Sequence, residues 1–207
     1  MEAVIKRWYQ KVWITRGARF NAHSRLEKHA NLSSLTISVL TVYIIALNIF
    51  PQISFLKPYF DVSDTGWITI ILSVLILSIS QYISSKEYKL KATKFHDCGK
   101  ELSKIYEDIA FHLDNPEKTS LEDMRKISNH YLSIIEKYEE NHLPIDREIF
   151  IRDNIDQFTF IKHPIWFTIK VYFSFLSSFF IYWAFITIPP LLLFIWMIHG
   201  HSSISSR

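Results

Sequence analysis

LSSLTISVLTVYIIALNI, residues 32–49, and WITIILSVLILSISQYI, residues 67–83, decide how this chain folds. Neither stretch holds an acid or a base, and each approaches the ~20 apolar residues that cross a ~30 Å hydrocarbon layer at 1.5 Å rise. In lipid every backbone amide must be paired within its own segment, so both stretches are predicted to be helices. Pro51 and Pro58 stop the first, and Asp61, Ser63, Asp64 and Gly66 supply turn chemistry before Trp67 marks an interface level. The result is a transmembrane hairpin over residues 32–83.

Charge on either side of the hairpin orients it. Lys6, Arg7, Lys11, Arg16, Arg19, Arg25 and Lys28 precede the first span against Glu2 and Glu27, and Lys86, Lys89, Lys91 and Lys94 follow the second against Glu87. The connecting loop carries Lys57 against Asp61 and Asp64. The positive-inside rule therefore sets both ends of the hairpin in the cytoplasm. A formal net charge of +3 is too weak to argue for direct nucleic-acid binding. The first apolar run follows a charged stretch with no small-residue cleavage site, so the first span is expected to serve as its own insertion signal.

Outside the hairpin the pattern is helical throughout, with charge collected before residue 30 and between 85 and 162. Val4, Ile5, Trp8, Tyr9, Val12 and Trp13 recur at three- and four-residue spacing among Lys6, Arg7 and Lys11. Such a basic amphipathic segment, assigned to residues 1–31, either lies on an anionic membrane surface or packs on a neighbouring helix. Gly17 is expected to interrupt it. Residues 84–160 read as a cytoplasmic helical bundle. Leu90, Phe95, Leu102, Ile105, Tyr106, Ile109 and Leu113 form one stripe, and Leu121, Met124, Ile127, Tyr131, Ile134, Ile135 and Tyr138 form the next, begun by a capping box at Thr119 and Glu122. A third, shorter helix runs from Ile145 to about Gln157.

Residues 161–207 hold a C-terminal membrane segment. Residues 165–188 are long enough to span once, and Pro189-Pro190 is expected to break the run and leave an interfacial stub; a re-entrant or monotopic segment is the alternative. The fold class is thus an all-α membrane protein with a transmembrane hairpin, a cytoplasmic helical bundle and a third membrane segment.

Thr36, Thr41 and Asn48 in the first span and Ser73 and Ser80 in the second are the candidate pore-lining positions. Two readings compete for them: small polar residues that let helices approach and exchange hydrogen bonds worth ~1 kcal/mol each, or the walls of a water path in an oligomer. No catalytic, cofactor or metal residue is assigned. His96 and Cys98 point to different faces of a helix, and His112, His130 and His142 lie at no recognised ligand spacing. Gly99-Lys100 lacks the rest of a phosphate loop, and four glycines in the chain make a backbone phosphate cradle improbable. The single cysteine, Cys98, excludes an intrachain disulfide.

Three short motifs resemble the SLATT family of two-transmembrane bacterial effectors. Arg19-Phe-Asn21-Ala-His23-Ser-Arg25-Leu-Glu27 leads into the first span, Phe95-His96-Asp97-Cys98-Gly99-Lys100-Glu101-Leu102 follows the second, and Tyr138-Glu-Glu-Asn141-His142 with Ile145-Asp146 closes the bundle. The resemblance implies an antiphage effector in the bacterial inner membrane that oligomerises and permeabilises that membrane, ending in abortive infection. It also implies a neighbouring nucleotide synthetase, SLOG-type sensor or reverse transcriptase as partner. The alternative is a non-enzymatic tether that docks such a partner. Arg19, Asn21, His23, Arg25, His96 and Asn141 carry over as signature positions without a catalytic role, and polar contacts between hairpin and bundle would equally account for them.

Overall fold

The computed structural model describes residues 1–57, 60 and 62–205, with side chains through Ile198 except those of residues 62–64. It is 84% helical, and no strand occurs among the described residues. α1 runs Glu2–Ile49 and ends in a 3-10 turn at Phe50–Gln52; then come α2 Val62–Ser84, α3 Tyr88–Asp114, α4 Leu121–Lys137, α5 Pro144–Asp153, a 3-10 turn at Ile155–Gln157, α6 Pro164–Ser177 and α7 Phe180–Ser205. Pro58 and Asp61 lie outside the described residues. Ser63, Asp64 and Gly66 fall in the first turns of α2 rather than in a loop.

The chain divides into two compact units: residues 1–28 with 88–177, and residues 29–87 with 178–207. In the first unit Ile5 and Val12 of α1, Cys98, Leu102, Ile105 and Ile109 of α3, and Met124, Ile127, Tyr131 and Ile134 of α4 form one buried cluster. Their three- and four-residue spacing on α3 and α4 matches the seam of a coiled coil. Of the two readings of the N-terminal helix, the structure has the one in which it packs on neighbouring helices: Ile5 and Val12 are fully buried, with Trp8 and Tyr9 packed beside them. Leu90, placed on the α3 stripe by periodicity, is half exposed instead.

Gly17 does not interrupt α1. A Cβ at that position would fall 1.9 Å from the Phe150 ring, so the missing side chain is used to admit α5 against α1. The Trp13 ring meets Phe150 edge-on at 4.7 Å and lies parallel to Phe158 at 5.8 Å beside it. The α4 capping box also shifts by one residue from the sequence expectation. Ser120 Oγ accepts from the Asp123 amide at 3.1 Å while Asp123 Oδ2 accepts from the Ser120 amide at 3.0 Å. Thr119 turns away, to the His112 ring at 3.0 Å.

In the second unit, three stretches long and apolar enough to cross a bilayer lie within Glu2–Gln52, Thr65–Asp114 and Phe180–Ile198. The C-terminal segment departs from the expected single span over 165–188. A turn at Ser178-Phe179 separates α6 from α7, and α7 continues through Pro189 and Pro190. A proline at position i removes the amide that would bond the carbonyl at i−4, so Pro190 leaves the Ile186 carbonyl free. The Tyr43 hydroxyl of α1 donates to it at 2.8 Å. Replacement of lost backbone bonds by a neighbouring helix is what allows proline inside membrane helices. Phe179, 4% exposed, packs on His29, whose ring nitrogen also meets the Tyr182 hydroxyl at 3.1 Å.

α1 buries every seventh residue along its length. Ile5, Val12, Arg19, Leu26, Ser33, Leu40 and Leu47 are all at most 9% exposed. Two of the seven are polar, and one of these begins the functional site.

Candidate functional site

Arg19 occupies a seam position that hydrophobic residues hold on either side of it. It is 1% exposed; its Nη1 donates to the Glu140 carbonyl, and its guanidinium lies over the Phe95 ring at 5.2 Å. Nε has no partner among the described residues. Six residues on, Arg25 forms a two-pronged ion pair with Asp146 at the start of α5, Nε to Oδ1 at 2.7 Å and Nη2 to Oδ2 at 2.9 Å. Asp146 is completely buried, and its Oδ2 also accepts from the Leu143 amide at 2.9 Å, so one carboxylate caps α5 and anchors α1. Asn21 Nδ2 donates to the Asp146 carbonyl at 3.1 Å.

The histidines complete the network. His23 Nδ1 meets the Ala92 carbonyl at 3.0 Å, its Nε2 lies 3.5 Å from Glu27, and its ring packs on His96 at 4.7 Å. The His96 ring also meets Phe20 in a T-shaped contact at 5.8 Å, and its Nδ1 is buried without a partner among the described residues. His142 Nδ1 is in the same condition, and burial, then the Arg19 charge, pushes the His142 pKa below the ordinary histidine value. Asn141, grouped with the others in sequence, stays exposed and outside the network.

Five of the six signature positions therefore meet where α1, α3 and the segment leading into α5 come together. Asp146 is the partner that makes the arrangement; it belongs to the closing motif but not to the six signature positions. Its signal was there: an acid in the first turn of a helix, two residues after Pro144, is the place where a carboxylate reaches back to free amides. Of the two buried guanidiniums, Arg25 is neutralised by the Asp146 carboxylate, whereas Arg19 is met by a carbonyl and an aromatic face.

The chemistry open to this cluster is that of a structural joint. The adjoining cleft between Arg19, Phe95, Tyr138 and Glu140 is about 90 Å³, below the ~300 Å³ at which ligand pockets begin. The Cys98 thiol is fully buried and burial raises its pKa, which works against a nucleophilic thiolate. Among the described residues no three His, Cys, Asp or Glu side chains converge as metal ligands would.

The candidate pore positions lie in the second unit. Thr36 is 1% exposed and bonds the Leu32 carbonyl at 2.8 Å, whereas Thr41, Asn48 and Ser73 are exposed. Their side chains donate to the carbonyls four residues back, of Ile37, Ile44 and Thr69 respectively, at 2.8–2.9 Å. Ser80 is half-buried. Turned inward in this way, an exposed hydroxyl costs little in hydrocarbon.

The profile of the SMODS and SLOG-associating 2TM effector domain family 5 matches residues 1–196. The chain belongs to that family. No curated protein and no solved structure is similar enough to this SLATT chain to count as a match. The family is linked to antiphage defence systems, and the apolar helices of this SLATT member mark it as membrane-associated.

Proposed function

We propose that this SLATT protein is an effector of the bacterial inner membrane that oligomerises and permeabilises the membrane when activated, so that an infected cell stops growing before phage is released. Residues 1–28 and the helical bundle are cytoplasmic in this reading, in keeping with the basic flanks of the hairpin. It acts without catalysis.

The observation that carries the proposal is how little of the spans one chain covers. Of the apolar windows in the three membrane-length stretches, 17%, 0% and 6% is buried. Thr41, Asn48 and Ser73 lie on that uncovered surface, each able to turn its polar atoms from its own backbone toward water. Three helices do not enclose a water path, so permeabilisation requires several copies to bring such faces together. The basic flanks and the family's link to defence point the same way.

A second reading, a membrane tether, draws support from a cleft of about 530 Å³ in the first unit, where Trp13, Phe158 and Phe160 lie beside Lys6 and Arg147. A partner complex encoded nearby, such as a reverse transcriptase or nucleotide-signalling enzyme, would dock there.

The experiment expresses the protein with its genomic neighbours and follows membrane potential after phage challenge. Collapse of the potential together with growth arrest is expected. Arrest at constant potential rejects permeabilisation. Leucine at Thr41, Asn48 and Ser73 together should abolish the collapse, whereas a tether would keep protecting the culture.

A further inference from the structure

We propose that the groove between α1, α2 and α7 in the second unit is a binding site for one acyl chain of a membrane phospholipid. The groove measures about 600 Å³ and is walled by residues such as Leu40, Leu72, Ile76, Ala184 and Leu192. The polar groups on its walls are the Tyr43 hydroxyl, already engaged by the Ile186 carbonyl, and the Trp196 indole at one end. Nothing in it would hold water, and a void of this size inside hydrocarbon forfeits the dispersion contacts of its whole lining.

Its dimensions select the occupant. Along α7 the lining runs from Ile181 to Trp196, about 22 Å at 1.5 Å rise per residue. An α-helix about 10 Å across and 22 Å long occupies roughly 1,700 Å³, so a helix from a second copy does not fit inside a groove of about 600 Å³. A single hydrocarbon chain does. Along α2 the lining extends from Ile68 to Ile79, about 16 Å, close to half of the ~30 Å apolar layer and hence to the depth of one leaflet.

One end of the groove is closed. Leu47, Ile68, Leu72 and Leu193 belong both to its walls and to the cluster around Leu56 and Phe60, and Trp196 lies 5.9 Å from the Phe60 ring. A chain therefore enters from the end marked by Leu40, Ile79 and Ile181, with its tip toward Phe60. None of the span window of α2 is buried by protein, so a chain in the groove would supply packing that α2 lacks.

The test reconstitutes the full-length protein in phosphatidylcholine vesicles containing a phosphatidylcholine with a diazirine near the end of one acyl chain. The protein is then extracted into detergent with excess unlabelled phosphatidylcholine and illuminated, and adducts are mapped by mass spectrometry. Lipid on the outer surface exchanges during extraction and a seated chain does not. Adducts at the half-buried Leu72, Ala184 and Leu193 are expected to exceed those at the exposed Phe173 and Phe194 by tenfold or more. Ala184→Trp, which fills the groove, should cut the groove adducts at least fivefold, and Leu191→Trp on exposed α7 surface should leave them unchanged. Groove adducts no more frequent than surface ones in the unsubstituted protein would overturn the proposal, as would crosslinks joining two protein copies through the groove.

Discussion

The Tyr43 hydroxyl donates to the Ile186 carbonyl at 2.8 Å, and that carbonyl is the one Pro190 deprives of its backbone donor. A side chain on one helix thus completes the hydrogen bonding of another. Tyr43→Phe should lower stability by about 1 kcal/mol, as hydrogen bonds between membrane helices usually contribute. In a Pro190→Ala background, where residue 190 supplies its own amide, the same change should cost much less. Thermal unfolding in detergent followed by circular dichroism gives the double-mutant cycle; equal costs in both backgrounds would refute the relationship.

Asp146 is completely buried, paired to Arg25 through two bonds and to the Leu143 amide just before α5 through a third. Asp146→Ala strands a buried guanidinium and should cost about 3–5 kcal/mol. Arg25→Leu with Asp146→Leu removes both charges and should cost clearly less than the two single changes added. Urea unfolding of the purified variants measures the difference.

Gly17 separates two opposing expectations. Helix propensity alone has Gly17→Ala stabilising α1 by about 1 kcal/mol. The 1.9 Å approach to Phe150 reverses the sign, because the ring must move and the α1–α5 packing opens, at a cost of about 1–3 kcal/mol. Adding Phe150→Leu should recover part of the loss. A rise in melting temperature for Gly17→Ala would rule out the close approach.

His142 gives the first unit an acid sensitivity. Burial, then Arg19, lowers its folded pKa below the 6.5 of an open histidine, so between those two values the unfolded chain binds more protons than the folded one. The contribution is complete above pH 6.5 and is lost as pH falls through the folded pKa. His142→Gln should flatten the pH dependence of stability between about pH 7 and 5 relative to the unsubstituted protein. An unchanged slope would show that His142 is not the titrating group.

Much of the architecture is legible without coordinates. The lengths of the dry runs at 32–49 and 67–83 require helices, and the apolar stripes ending at Leu113 and Tyr138 give α3 and α4 because three- and four-residue spacing has one solution. The errors have a common origin. Backbone propensity alone makes Gly17 and Pro190 helix breakers, and each is overruled by a partner distant in sequence: Phe150 for the glycine, Tyr43 for the carbonyl that Pro190 leaves open. The seven-residue seam of α1 is hidden for a similar reason, since Arg19 and Ser33 occupy buried positions and break the hydrophobic pattern.

The site shows the same division. Three motifs scattered from Arg19 to Asp146 are recognisable as a set, and Asn141 among them stays at the surface while Asp146 takes the centre. Sequence by itself determined that this chain is helical, where it is dry enough to enter lipid and which ends carry basic charge, because those properties depend on local composition and on the thickness of a bilayer. Only the tertiary structure decided which polar residues are buried and what each one holds. A buried charge is tolerated solely where a second chain segment brings its partner within hydrogen-bonding distance, and that distance is set by how the helices pack.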